Sequence, residues 1–192
     1  MVFGLFGVGG WLNVDDAQNY LAYGQVYGTA VKTLIAHFKK PTEKLLEEAD
    51  ASGHPDVSLL PAHALGILPL VYNFRHYVEL KLKGLILMKG GKIKNTHNLS
   101  ELLNKLIEVS GTTRISDETK SVIDRLQKSD NGPADAYRYP YDRDGKRHFK
   151  ENSEFLQTVN NFEKFESDVS TVMRDLENVE GDFDAERNAE FD

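Results

Sequence analysis

Cysteine is absent from this chain of 192 residues. Disulfides and cysteine-ligated metal centres are therefore excluded, and the absence fits a reducing, cytoplasmic setting. The apolar stretch Met1 to Leu12 has no basic residue and is interrupted by Gly4, Gly7, Gly9 and Gly10. A signal peptide wants a charged start and a small-residue cleavage site, and a membrane span wants about 20 apolar residues. Neither requirement is met, so this stretch is expected to be an apolar lead-in and no membrane partner is expected. Several chemical signatures are missing too. There is no glycine-rich phosphate loop with its lysine, no dinucleotide fingerprint and no His-Glu-x-x-His pair. The six histidines (His37, His54, His63, His76, His97 and His148) show no spacing on one helical face that would suit a metal ion, so no metal site and no cofactor are expected.

What is present is an ordinary globular balance, 40% hydrophobic and 28% charged. The net charge is −7, unevenly distributed. From Arg75 to Lys105, seven cations (Arg75, Lys81, Lys83, Lys89, Lys92, Lys94 and Lys105) face Glu79 and Glu101, a local net of +5. From Tyr137 to Lys150 the local net is +3. From Glu151 to Asp192 thirteen acids face three cations, a net of −10. Polyanion binding follows the local field rather than the total, so two readings stand: a basic surface for nucleic acid, or a lysine face balanced by the acidic C-terminal helix.

Apolar residues recur at three- and four-residue steps. The first helix is expected over about Asp15 to Phe38, with Asn13, Asp15 and Asp16 at its start and Tyr20, Tyr23 or Gly24, Tyr27, Val31, Leu34, Ile35 and Phe38 inward. Pro41 should end it and open a shorter helix to about Ala51, which Ser52-Gly53-His54-Pro55 breaks. A second long helix is expected over about Ala62 to Lys89, with Val71, Phe74, Val78, Leu82 and Leu85 as its core stripe. Pro69 should kink it or mark its true start, and Gly90-Gly91 should stop it. Asn98 or Thr96 should cap a compact helix from Leu99 to about Leu106. Gly111-Thr112-Thr113 is a break, and Ser116-Asp117-Glu118 starts a helix to about Lys128 with Val122, Ile123 and Leu126 inward. Ser129 to Lys150 reads as one long ordered loop or short hairpin. The last helix should begin near Asn152, bury Phe155, Val159, Phe162, Val169, Met173 and Leu176, and fray after Gly181. No strand-like alternation is convincing. The expected fold is all-α: about four principal helices plus short ones and one long loop, with residues 1–180 as a single bundle domain and 181–192 as an acidic frayed tail.

The chemically informative stretch runs from Tyr72 to Leu85. Arg75 and Glu79 are four apart, share a helical face beside the apolar stripe, and should form a partly buried pair. The pair either locks the helix into the bundle or lets Arg75 present its planar fork to a phosphate. His76 points about 100° away around the helix and need not act at the same point. Asn98 and His97 can cap a helix; Arg138 and Tyr139 can anchor a loop.

Phe74-Arg75-His76-x-x-Glu79-Leu80-x-x-Lys83, followed by Thr96-His97-Asn98-Leu99-x-x-Leu102-Leu103 and by Ala136-Tyr137-Arg138-Tyr139-Pro140-x-Asp142-x-Asp144-Gly145, resembles the HEPN superfamily. The resemblance covers roughly Pro69 to Gly145. It implies a helical bundle, frequently dimeric, of the kind found in bacterial toxin–antitoxin, abortive-infection and CRISPR-linked systems. Many such proteins are metal-independent endoribonucleases, with an arginine and a histidine separated by four to six residues and two such motifs meeting across a dimer. On that basis Arg75, His76 and Glu79 are the candidate catalytic residues. Lys83, His97, Asn98, Arg138 and Tyr139 are the candidate substrate-binding residues. The family's Arg-to-His spacing occurs formally only at Arg143 to His148, an alternative catalytic pair. The resemblance implies an RNA or nucleotide ligand, a homodimer and a protein partner from the same system. The other reading is a non-catalytic interaction or nucleotide-binding module.

Overall fold

The computed structural model describes residues 16–52, 60–93, 95–111, 114–130 and 161–189. Among them every regular element is a helix: α1 (Asp16–Ser52), α2 (Leu60–Met88), α3 (Leu99–Ser110), α4 (Asp117–Asp130) and α5 (Phe162–Ala189). The expected all-α bundle is therefore what forms. The central helix is α2, which contacts α1, α3 and α5, while α4 closes the bundle against α3 and α5.

The core is the predicted stripe. Val71, Phe74, Val78, Leu82 and Leu85 of α2 meet Val31 and Ile35 of α1, Leu102 and Leu106 of α3, Val122, Ile123 and Leu126 of α4, and Phe165, Val169, Val172 and Leu176 of α5. Phe74 and Phe165 pack edge to face, 5.9 Å between ring centroids. On α1 the inward residue of the Tyr23/Gly24 choice is Gly24; Tyr23 is exposed. Close approach of α1 to α2 depends on Gly84, where an added Cβ would fall 2.7 Å from Leu21 Cδ2.

Helix ends follow side-chain and glycine chemistry. Gly90 takes φ +71°, its N–H donates to Leu87 O, and Gly91 N–H donates to Ile86 O. Those are the two bonds of a glycine C-cap, as the Gly90-Gly91 pair predicts. Asn98 caps α3, its side-chain oxygen accepting from Glu101 N at 3.0 Å, and Ser116 caps α4, its Oγ accepting from Thr119 N at 3.1 Å.

Two helix boundaries differ from the sequence expectation, at Pro41 and after Gly181. α1 runs on through Pro41 to Ser52 as one helix, since a proline removes one backbone donor without always ending a helix. α2 likewise continues through Pro69, whose carbonyl accepts from Asn73 Nδ2 at 2.6 Å. α5 has its N-cap at Asn161, whose Oδ1 accepts from Lys164 N; the expected start near Asn152 lies outside the described residues. At the other end α5 does not fray after Gly181 but stays helical to Ala189, because Phe183 is buried, Asp182 pairs with Arg114 at 2.9 Å and Glu186 pairs with Lys89. No helix among the described residues is long and apolar enough to cross a membrane. The Met1–Leu12 lead-in and most of the expected loop from Ser129 to Lys150 lie outside those residues.

Candidate functional site

Arg75, Glu79 and Lys83 are spaced four apart on α2 and so project from one face. The turn at Gly90-Gly91 sends the chain back along that face, bringing His97 and Asn98 to it just before α3 begins. The result is a tight polar cluster. Arg75 NH1 donates to Glu79 Oε2 at 2.7 Å, and Arg75 NH2 donates to the His97 carbonyl at 2.7 Å. Lys83 Nζ donates to Glu79 Oε1 at 2.7 Å, and His97 Nδ1 lies 2.8 Å from the same oxygen. The Arg75 side chain is completely buried rather than partly so, and Glu79 and Lys83 are buried with it. Only His97 reaches water, its side chain 51% exposed.

Burial alone would push the Glu79 carboxyl above its ordinary value. Hydrogen bonds and charge from Lys83 and Arg75 outweigh that and hold it down at about 2. Glu79 is thus ionised at neutral pH and can only accept hydrogen bonds. The Nδ1 of His97 must therefore be the donor, which leaves Nε2 of the neutral ring bare, with its lone pair available. A guanidinium and an ammonium face one carboxylate, a formal excess of one positive charge, and the N-terminus of α3 adds its partial positive charge beside it. A fixed imidazole beside an excess positive charge suits proton transfer next to an anion.

The other candidates divide clearly. Asn98 joins the cluster's neighbourhood, but its side-chain oxygen is taken up by the α3 cap and its N–H donates to Thr96 Oγ1. His76 faces α1 instead: its ring sits edge-on to Tyr27, 4.4 Å between centroids, and stacked on Tyr72 at 5.7 Å. The structure does not bring it to Arg75 and His97. Arg138, Tyr139, Arg143 and His148 lie outside the described residues.

Sequence reasoning missed two partners. The pairing of Lys83 with Glu79 follows from their i,i+4 spacing, a partner that the substrate-binding expectation for Lys83 leaves out. Gln127 of α4, whose Oε1 accepts from Leu99 N at 2.6 Å, has no sequence signal because the contact is purely tertiary. Within the basic stretch, Lys81 pairs with Glu180 and Lys89 with Glu186, both carboxylates of α5, as the balanced reading expects, while Arg75 and Lys83 pair with Glu79 and Lys105 with Glu108. Among the described residues, Lys92 of the basic stretch has no carboxylate in ion-pair range, and no three metal-ligating side chains are gathered together.

Comparison with known proteins gives one match. A model of the HEPN domain matches residues 69–169, more than half of the chain, from the middle of α2 into α5. No curated protein and no solved structure matches.

Proposed function

The chain belongs to the HEPN domain family, and from that premise we propose that it is an RNA-directed protein, a metal-independent endoribonuclease whose proton-moving group is His97. The observation that carries this reading is the 2.8 Å contact between His97 Nδ1 and the buried, ionised Glu79, which fixes the tautomer of a half-exposed imidazole.

In this reading His97 Nε2 takes the proton of an RNA 2′-hydroxyl. The 2′-oxygen attacks the adjacent phosphorus, the bond from phosphorus to the 5′-oxygen breaks, and the leaving oxygen takes up a proton from the partner copy's equivalent histidine or from water. The products are a 2′,3′-cyclic phosphate and a 5′-hydroxyl. Arg75 and Lys83 are too buried to touch the phosphate. They act as positioning residues: they hold Glu79 ionised, fix the His97 backbone and supply the excess positive field. A homodimer acting in the bacterial cytoplasm, in a defence or toxin-type setting, belongs to the same proposal and is what the family resemblance implies.

The test is purified protein incubated with mixed RNA, with and without chelator, beside His97→Ala, Glu79→Gln, His76→Ala and His148→Ala. Cyclic-phosphate ends are expected from wild type and His76→Ala, with a loss of about a hundredfold or more for His97→Ala. RNA left intact at high protein concentration, with no variant relieving toxicity in cells, ends this reading. A full loss in His148→Ala with His97→Ala active would move the chemistry to the Arg143–His148 pair.

The complete burial of Arg75 and the pairing of the lysines by α5 favour one other reading, a non-catalytic module that holds a protein partner or a nucleotide. A stoichiometric partner recovered without RNA would support it.

A further inference from the structure

His97 sits on a turn whose two ends are held by different helices. On one side Arg75 NH2 of α2 donates to the His97 carbonyl at 2.7 Å. On the other, two residues further on, Leu99 N donates to Gln127 Oε1 of α4 at 2.6 Å. The first amides of a helix have no partner within it. In α3 the Asn98 side chain takes Glu101 N and the Asn98 carbonyl takes Leu102 N, so Leu99 N must find its acceptor elsewhere. Leu99 is 0% exposed, so water does not serve. A buried N–H left unmet is costly, and the readiest relief is a shift of the turn that lets water in. Gln127 supplies the acceptor that makes such a shift unnecessary. Its backbone follows Leu126, which is buried in the core, while Gln127 itself is half-buried and reaches across to the start of α3.

We propose that Gln127 is a positioning residue for His97. It pins the amide side of the turn while Arg75 pins the carbonyl side, and Glu79 holds the ring between them through Nδ1 at 2.8 Å. With both flanks fixed, the imidazole keeps little freedom beyond its own side-chain torsions, and the contact with Glu79 takes those up. The aim of Nε2 is then set by α4 as well as by α2. Gln127 touches no substrate. As a contribution to cleavage the role rests on the ribonuclease reading; as a hold on the ring it stands without it. The role is also local to one end of α4. The other end is tied to Asp175 through Ser116 and Thr119, and Thr119 lies about 12 Å along the helix from Gln127.

Two variants of the full chain separate the acceptor from the bulk of the side chain. Gln127→Met keeps an unbranched, helix-favouring side chain and loses the acceptor, whereas Gln127→Glu keeps the acceptor. Each is read by amide hydrogen exchange at Leu99, nitrogen-15 NMR of the His97 ring and RNA cleavage. Gln127→Met is expected to lose at least about tenfold of the exchange protection at Leu99 and to give a mixed His97 tautomer. Its kcat should fall about 10- to 100-fold with KM unchanged. Gln127→Glu should retain the protection and the ring protonated at Nδ1. Asp175→Asn controls for general loosening: it should lower the thermal midpoint and leave the His97 tautomer as in wild type. A wild-type tautomer in Gln127→Met overturns the proposal, as does an equally mixed tautomer in Asp175→Asn or Gln127→Glu. Wild type that leaves RNA intact, together with the expected tautomer changes, removes the ribonuclease reading and leaves the hold on the ring standing. Cleavage abolished by His97→Ala and untouched by Gln127→Met removes the positioning role alone.

Discussion

Two buried carboxylates anchor two short helices, and the contrast between them separates a structural joint from a candidate reactive one. Asp175 of α5 holds the start of α4, accepting from Ser116 N at 2.9 Å, Ser116 Oγ at 2.6 Å and Thr119 Oγ1 at 2.7 Å. Glu79 of α2 holds the start of α3 through Arg75, Lys83 and His97. In both, burial pushes the carboxyl pKa up and the bonds it accepts pull it lower still. The partners differ in kind. Asp175 is held by two hydroxyls, a backbone N–H and, at 3.5 Å, the Arg174 guanidinium, with no imidazole among them. Glu79 is surrounded by fixed cations and by one imidazole that opens to water. A helix joint needs only the first arrangement, and the second leaves a proton-carrying group at the surface.

The largest expected effect breaks the Glu79 joint outright. Arg75→Met should cost about 3–5 kcal/mol, because it removes one partner of a fully buried charge pair and frees the His97 carbonyl; urea denaturation measures it. Next, His97→Gln should change stability by less than about 1 kcal/mol while reducing RNA cleavage about 10²- to 10⁴-fold, a split between function and stability that no substitution at Asp175 should reproduce.

The acid response sharpens the comparison further. Because the Glu79 pKa is depressed in the folded chain, its stabilisation is fully present above the ordinary glutamate value of 4.5 and disappears as pH falls towards about 2. Thermal midpoints should therefore fall across that window in wild type, and the Glu79→Gln variant should be less stable at neutrality with a visibly smaller acid-dependent loss. Asp175→Asn should cost about 1–3 kcal/mol, the penalty for leaving buried donors poorly matched, with RNA cleavage unchanged. The smallest effect belongs to the ion pairs along α5: Lys32→Ala, which removes an exposed pair with Glu177, should shift stability by less than about 1 kcal/mol at low salt and by nothing measurable at high salt.

Much of this was legible in the residues themselves. The Arg75–Glu79 pair, the Asn98 and Ser116 caps, the Gly90 stop and the α2 core stripe all depend on contacts within a few positions along the chain, where spacing alone decides who meets whom. The role of His97 was not legible, because its contact with Glu79 spans 18 positions and exists only after the chain turns back at Gly90-Gly91. The pairing of α2 with α5 joins residues nearly a hundred positions apart, so the basic stretch looked like an open surface when Lys81 and Lys89 are already engaged. The persistence of α5 beyond Gly181 was hidden for the same reason: Phe183 and Asp182 find their partners in space, not in sequence.

The position of the proton on the His97 ring tests the central claim most directly. Nitrogen-15 NMR of the imidazole at a pH where the ring is neutral distinguishes the two tautomers. Protonation at Nδ1, lost or mixed in Glu79→Gln, is the expected result. A ring protonated at Nε2 in wild type, unchanged by that substitution, would contradict the proposed hold of Glu79 on His97 and with it the assignment of His97 as the reactive group.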